Sequence, residues 1–285
     1  MKNPYTKPPL SIKEQISLLK QRGMYFSDEN FAENYLSHVH YYRLRAYWIH
    51  FEKDKINHIF EHNTSFDNII KIYEFDRELR LLILDAIERI EVSLRAQMVN
   101  VLSQKYGSHA FDNELIFSDN VQWQKHQKQL KDDMAKLKSS PSFIRHFQEN
   151  YAEEYPPLWA VCECVSLGLL SKYYKNLKYR DKKDIAYIYN NISPDVFQSW
   201  IHHLVTVRNV CAHHTKTWDY YFPIKPKQSQ AHKMQHTAGK IGRTIEIIQC
   251  LLVYIDSDAQ EKWNLAFQSL LHRYTGLINT QFMGI

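Results

Sequence analysis

The sequence predicts an all-α helical bundle, and three observations carry that prediction. Glycine supplies only 7 of 285 residues, about 2.5% against a usual ~7%, whereas sheet turns and phosphate-cradling loops both consume glycine. Apolar residues keep helical spacing through an unusually long stretch, from Phe66 to Leu102. Helix-start signals of the Ser/Thr-x-x-acid type recur along the chain. Strands are expected to be minor or absent.

Taken in order, Ser11-Ile-Lys-Glu14 reads as a capping box, after which Ile12, Ile16 and Leu19 hold helical spacing until Gly23. A second helix is expected after Ser27, carrying Phe31, Tyr35 and Leu36. The stretch His40-Tyr-Tyr-Arg-Leu-Arg-Ala-Tyr-Trp48 is too aromatic for a solvated loop and reads as a third, packed helix. The polar residues 57–63 then mark a boundary, dividing a small helical N-terminal segment, 1–63, from a larger helical domain, 64–285. Thr64-Ser-Phe-Asp67 reads as the capping box of the longest helix, which runs through Ile83, Ile90 and Met98 to Gly107. At 1.5 Å per residue this spine of about 40 residues is roughly 60 Å long. Further helices are expected over 120–138, 143–151, 158–177, 181–191, 195–213, 231–255 and 258–275. Ser193-Pro194-Asp195 is a strong start signal, with Ser as cap and Pro at the first helical position.

Composition narrows the function. No Gly-x-Gly-x-x-Gly or Gly-x-x-x-x-Gly-Lys string occurs, which excludes nucleotide loops of those two types. Four cysteines form no Cys-x-x-Cys pair. There is no apolar signal core and no run near the roughly 18 residues that span a membrane, so a cytoplasmic location with free thiols is expected. The net charge is +5, with 19 Tyr and 15 His; tyrosine suits either a helical core with polar handles or stacking on bases.

The segment from Trp200 to His214 carries the chemistry. Trp200, Leu204, Val207 and Cys211 make an apolar stripe that docks a helix, while Arg208, Asn209, His213 and His214 lie off it near the helix end. An arginine and a histidine together can cleave RNA without metal. Histidine, which titrates near working pH, takes the proton of the ribose 2′-hydroxyl. The planar guanidinium stabilises the charge growing on the phosphate oxygens. Such a reaction yields a 2′,3′-cyclic phosphate and leaves DNA intact. Residues five apart lie about 140° apart on an ideal helix, so Arg208 and His213 share a site only if the helix deforms near His213 or if two such helices meet. Asn209 is four residues before His213 and shares its face, which suits it to orient the imidazole. The same Arg-x-x-x-x-His spacing recurs at Arg45 and His50, where it reads as coincidence.

Several ordered blocks now resemble the Abi-like (abortive infection) family within the HEPN superfamily of helical ribonucleases. They are Glu14-Gln15 with Leu18-Leu19 and Arg22-Gly23; Tyr41-Tyr42-Arg43-Leu44 with Tyr47-Trp48; Tyr73-Glu-Phe-Asp-Arg-Glu-Leu-Arg80 with Ile87-Glu-Arg-Ile-Glu-Val-Ser-Leu-Arg95; Pro157-Leu-Trp-Ala-Val-Cys-Glu163 with Gly168-Leu-Leu-Ser171; and Arg208-Asn-Val-Cys-Ala-His-His214. The resemblance implies a HEPN-like helical core and metal-independent endoribonuclease activity without cofactor. It further implies catalytic roles for Arg208 and His213, support from Asn209, and a homodimer that joins two motif-bearing helices into one composite site. It also implies a toxin-like effector of phage defence, in some relatives paired with a structured guide or antitoxin RNA. Arg45-Ala46 departs from the small Ser-Gly-like pair of relatives, and His50 has no clear counterpart, so no role is carried over to either.

Other residues bear on the site. His214, Glu163, Glu88, Glu91 and Arg95 are candidate supports. Glu163 is the sole charge between Leu158 and Leu170; it either reaches solvent or a local ion pair, or orients Arg208 or His213 from a neighbouring helix. Asp76–Arg80 and Glu91–Arg95 are four apart and read as ion pairs on a solvated helix face. Residues 220–245 hold Lys225, Lys227, Lys233, Lys240 and Arg243 with no acid, and open with Tyr220, Tyr221 and Phe222. Phosphate contacts beside stacking rings suit single-stranded RNA. A second basic run covers 172–183. His232 and His236 are four apart on an expected helix and could present two metal ligands, but no Glu sits between them, and no metal is expected. The rival functions are a non-catalytic RNA-binding or antitoxin-like module on the same fold and, more remotely, a zinc hydrolase.

Overall fold

The computed structural model describes residues 4, 6, 8–136 and 142–285, and the prediction of an all-α protein holds: twelve α-helices among the described residues accompany one short hairpin. No helix among them is long and apolar enough to cross a membrane. Contacts separate two compact units. One holds the chain through Leu79 with Gln268–Asn279, and the other holds Arg80–Phe267 with Thr280–Ile285.

In the first unit, α1 (Ile12–Gln21) starts at the expected capping box, with the Glu14 amide donating to Ser11 Oγ at 3.3 Å and the Ser11 amide to Glu14 at 2.7 Å. Asp28 caps α2 (Glu29–His38) and His40 caps α3 (Tyr41–Trp48). The polar stretch after α3 is a hairpin of β1 (Glu52–Asp54) and antiparallel β2 (Ile59–Phe60), its turn closed by His58 at φ 56°. Helix α4 (Phe66–Tyr106) begins here, and its start is one residue later than a Thr64 cap would place it: the Asn68 amide donates to Ser65 Oγ at 3.2 Å. Asp76 is fully buried and accepts from the Tyr47 hydroxyl at 2.7 Å. The expected solvated face is therefore wrong at this position, and Arg80 in the second unit is also buried.

In the second unit the remainder of α4 buries Ile83, Ile87, Ile90, Leu94, Met98 and Leu102, the periodicity that announced it. This unit also holds α5 (Asn120–Lys136), α6 (Ser142–Asn150), α7 (Leu158–Cys164), α8 (Leu167–Asn176), α9 (Tyr179–Ala186), α10 (Pro194–Ala212), α11 (Ile241–Ile255) and α12 (Ser257–Arg273) as far as Phe267. Helix α8 packs against α5 and α10, and α10 also packs against α9 and α11. The expected end of α5, at 138, lies outside the described residues.

Two expected helices are corrected. The stretch 158–177 is two helices, because Val165 is extended (ψ 144°) and Ser166 caps α8 through the Leu169 amide at 3.3 Å. Arg95 stabilises this break by donating to the Val165 carbonyl at 2.9 Å while pairing with Glu91. The stretch 231–255 is helical only from Ile241, after Gly239 turns the chain at φ 84°. Gly242 then lets the C-terminal residues approach: a Cβ there would sit 2.8 Å from the Ile285 side chain and 3.0 Å from the Met283 carbonyl.

Candidate functional site

Helix α10 presents the predicted constellation. Ser193 caps it with Pro194 in the first turn, and Phe197, Trp200, Ile201, Leu204, Val207 and Cys211 are buried. That burial fixes the rotation of the helix and leaves Arg208, Asn209, His213 and His214 exposed at its C-terminal end. The side chains of Arg208, Asn209 and His213 have no hydrogen-bond or ion-pair partner among the described residues. The helix stops where the histidines sit. The His213 amide donates to the Asn209 carbonyl at 3.0 Å, the His214 amide to Cys211 at 3.0 Å and the Thr215 amide to Val210 at 3.1 Å. This is a Schellman closure with His214 left-handed at φ 58°, where glycine is usual. His213 is thus the C-cap, with φ −86° and ψ 10°, rather than a mid-helix residue.

The segment after α10 is held back against it by polar contacts. Trp200 Nε1 donates to the Lys227 carbonyl at 2.9 Å, and the Lys227 amide to Ser199 Oγ at 2.8 Å. His203, fully buried, lies 2.6 Å from the Ile224 carbonyl through Nδ1 and 2.8 Å from Thr244 Oγ1 through Nε2. A carbonyl only accepts, so Nδ1 carries the proton and Nε2 accepts from the threonine hydroxyl. Burial lowers the His203 pKa to about 4, which keeps this ring neutral.

This strap brings together what the sequence held apart. Lys225 and Lys227 line a groove of about 870 Å³ together with Lys172 and Lys175 of α8 and Lys125 of α5. The two basic runs therefore meet in space, but only in part. Lys233 is exposed beside a different cleft, which His232 and His236 also line. Lys240 donates to the Asp219 carbonyl at 3.1 Å, and it and Lys225 lie over the Tyr221 ring at 5.9 and 5.2 Å. Tyr221 is exposed and Tyr220 half-buried, its ring edge-on to Phe222. Arg243 departs from the expectation of an RNA contact: it is 5% exposed and donates to the His236 carbonyl and Gln228 while pairing with Glu246.

His232 and His236 are not on a helix, so their spacing does not place them on one face. No three His, Cys, Asp or Glu side chains gather as a metal site among the described residues. Glu163 is exposed and lines an aromatic cleft with Trp159, Tyr151 and His109. Glu88 is exposed, whereas Glu91 and Arg95 are half-buried and engaged with each other. Arg45 is half-buried on α3, and His50 is exposed in the turn after it.

Three groove residues, Lys125, His126 and His202, carried no separate signal in the sequence. A trace existed for the first: Gln122, Lys125 and Gln129 follow one another at three and four residues and form a polar stripe on α5.

No curated protein and no solved structure matches the chain. The family model described as Abi-like protein matches residues 34–219, more than half of the sequence and inclusive of α10, and the chain belongs to that family.

Proposed function

We propose that this protein is a metal-independent endoribonuclease of the HEPN type, acting as a toxin-like effector. Its family membership points to a role in abortive infection. The observation that carries the reading is the exposed, unengaged Arg208, Asn209 and His213 at the end of a firmly docked helix. A catalytic group must meet substrate, and side chains with no structural partner are free to do so.

In this mechanism His213 takes the proton of a ribose 2′-hydroxyl. The oxygen then attacks the adjacent phosphorus and forms a 2′,3′-cyclic phosphate while the P–O5′ bond breaks and the 5′-oxygen leaves as a hydroxyl, taking its proton from solvent. Arg208 bears on the non-bridging oxygens, where charge increases, and Asn209 orients the imidazole. Residues five apart on an ideal helix are separated by about 140°, and in this reading the complete site is formed by two copies of the chain joined through their α10 ends. Lys225, Lys227 and the exposed Tyr221 hold the strand.

The test is cleavage of RNA in EDTA. Cleavage should persist, leave cyclic phosphate ends, spare DNA, and fall about 10²–10⁴-fold in His213→Ala. Loss of activity on chelation, or full activity in His213→Ala, would refute the mechanism. The basic groove favours one other reading, a non-catalytic RNA-binding or antitoxin-like module. That reading requires salt-sensitive RNA binding, unchanged by Arg208→Ala with His213→Ala, and no cleavage by the unsubstituted protein.

A further inference from the structure

The groove between α5, α8, α10 and the 224–227 strap has properties beyond a merely solvated surface. Five lysines from three separated stretches face two aspartates, Asp119 and Asp195. Among the described residues, Asp195 alone of the two approaches a lysine, Lys227, at 3.8 Å. Lys172 donates to Gln129 at 2.8 Å, which places its ammonium group over α5.

The groove also contains an orphan. His126 is 7% exposed, lines the groove, and sets its ring edge against Tyr173 at 5.4 Å, yet its Nδ1 has no hydrogen-bond partner among the described residues. Leaving a buried polar atom unsatisfied costs about 1–3 kcal/mol. A ligand oxygen reaching the groove floor would remove that cost.

The spread of the charges selects the ligand. Lysines are compact point charges without the arginine fork that clasps a single phosphate, and here they are distributed along the groove on three elements. Repeating phosphates of a polymer match that distribution better than one small anion does. The groove includes His202 on α10. At 100° per residue His202, Thr206, Asn209 and His213 fall within about 60° of one another, and His202, Asn209 and His213 are exposed. One helix face therefore runs from the groove to the proposed catalytic end. Eleven residues at 1.5 Å make that path about 16 Å, or about five stacked nucleotides at 3.4 Å each.

We propose that this groove is an exosite for the phosphate backbone of single-stranded RNA, which grips the strand about five nucleotides from the point of attack. The proposal rests on the ribonuclease reading only for what happens at the His213 end. Binding in the groove does not require it.

The test uses full-length His213→Ala protein, so that RNA stays uncut, and fluorescence anisotropy with labelled RNA strands of about four and about twelve nucleotides at about 50–200 mM salt. The longer strand should bind at least about tenfold tighter, because only it spans both ends. Replacing Lys125, Lys172 and Lys175 together by Gln should lower its salt slope by about 2, at roughly 0.7 per lost contact, and weaken binding about tenfold or more. His126→Phe, which retains a ring against Tyr173, should cost a few-fold in affinity with the slope unchanged.

An unchanged slope in the triple variant would overturn the exosite, even if the unsubstituted protein cleaves RNA. Equal binding of both lengths, or displacement by a mononucleotide, would make the groove a small-anion site and overturn it too. A duplex bound as tightly through the same lysines would refute the single-strand assignment. The reverse pattern, full lysine-dependent binding with no cleavage by the unsubstituted protein, would remove the nuclease reading and leave the exosite standing.

Discussion

Acidification should loosen the strap on α10 through one residue, His203. Its imidazole is held neutral between an acceptor carbonyl and a threonine hydroxyl in a fully buried site, with a pKa lowered to about 4. The unfolded chain titrates this histidine near 6.5. Between those values the unfolded state binds more protons than the folded one, so stability rises with pH. The contribution is complete above about pH 6.5 and is lost as pH falls towards 4. A difference of about 2.5 pKa units at 1.36 kcal/mol per unit gives about 3 kcal/mol. Burial also lowers the His126 pKa, which adds to the slope in the same direction. Urea unfolding followed by circular dichroism from pH 7 to pH 4 measures the total, and His203→Gln isolates the share of this site. The variant is less stable at pH 7, since the rigid two-ended bridge is lost, but its stability falls less with acid. If wild type and variant lose the same free energy between pH 6.5 and 4, the buried neutral imidazole of His203 is not the origin of the acid sensitivity.

Two further outcomes follow from local geometry. Gly242→Ala places a Cβ against the Met283 carbonyl and the Ile285 side chain and should cost about 1–3 kcal/mol; thermal denaturation should show that penalty vanishing when residues 283–285 are deleted. His214→Gly relieves a left-handed conformation worth about 1 kcal/mol, so Tm should hold or rise in thermal denaturation; a fall of more than about 2 kcal/mol in stability would mean that the contacts of the imidazole outweigh that strain.

The sequence revealed repeated features well and directional ones poorly. Helix α4 was legible because its period persists over 41 residues, long enough for many weak signals to agree. The break between α7 and α8 was not, since Val165 and Ser166 bring neither glycine nor proline, and the extended Val165 is stabilised by an arginine 70 positions earlier in the chain. Helical spacing made Asp76 and Arg80 neighbours but could not say that their side of α4 is covered. Charge counting failed in a similar way at 220–245. Arg243 points inward to backbone and side-chain acceptors while Lys225 and Lys227 face the groove, a choice made by Trp200 and His203 from another helix. The Arg208–His213 end of α10 was legible because one apolar stripe determined which residues had to be outside.

The way α10 ends sharpens the case for that site. Gly23 follows α1 at φ 94° and Gly107 follows α4 at φ 85°, so this glycine-poor chain retains glycine where a helix must turn left-handed. At the corresponding position after α10 it has His214 at φ 58°, accepting about 1 kcal/mol that glycine would avoid. Strain of that kind persists where the surroundings enforce it and the side chain has a use. The closure also has a geometric effect: by ending the helix at Ala212 it makes His213 the cap and sets two exposed imidazoles side by side, next to Asn209 and beyond the last buried residue, Cys211. A stability-driven sequence would end this helix with glycine; the residues present instead place exposed imidazoles on an anchored edge, which suits the phosphodiester cleavage proposed above.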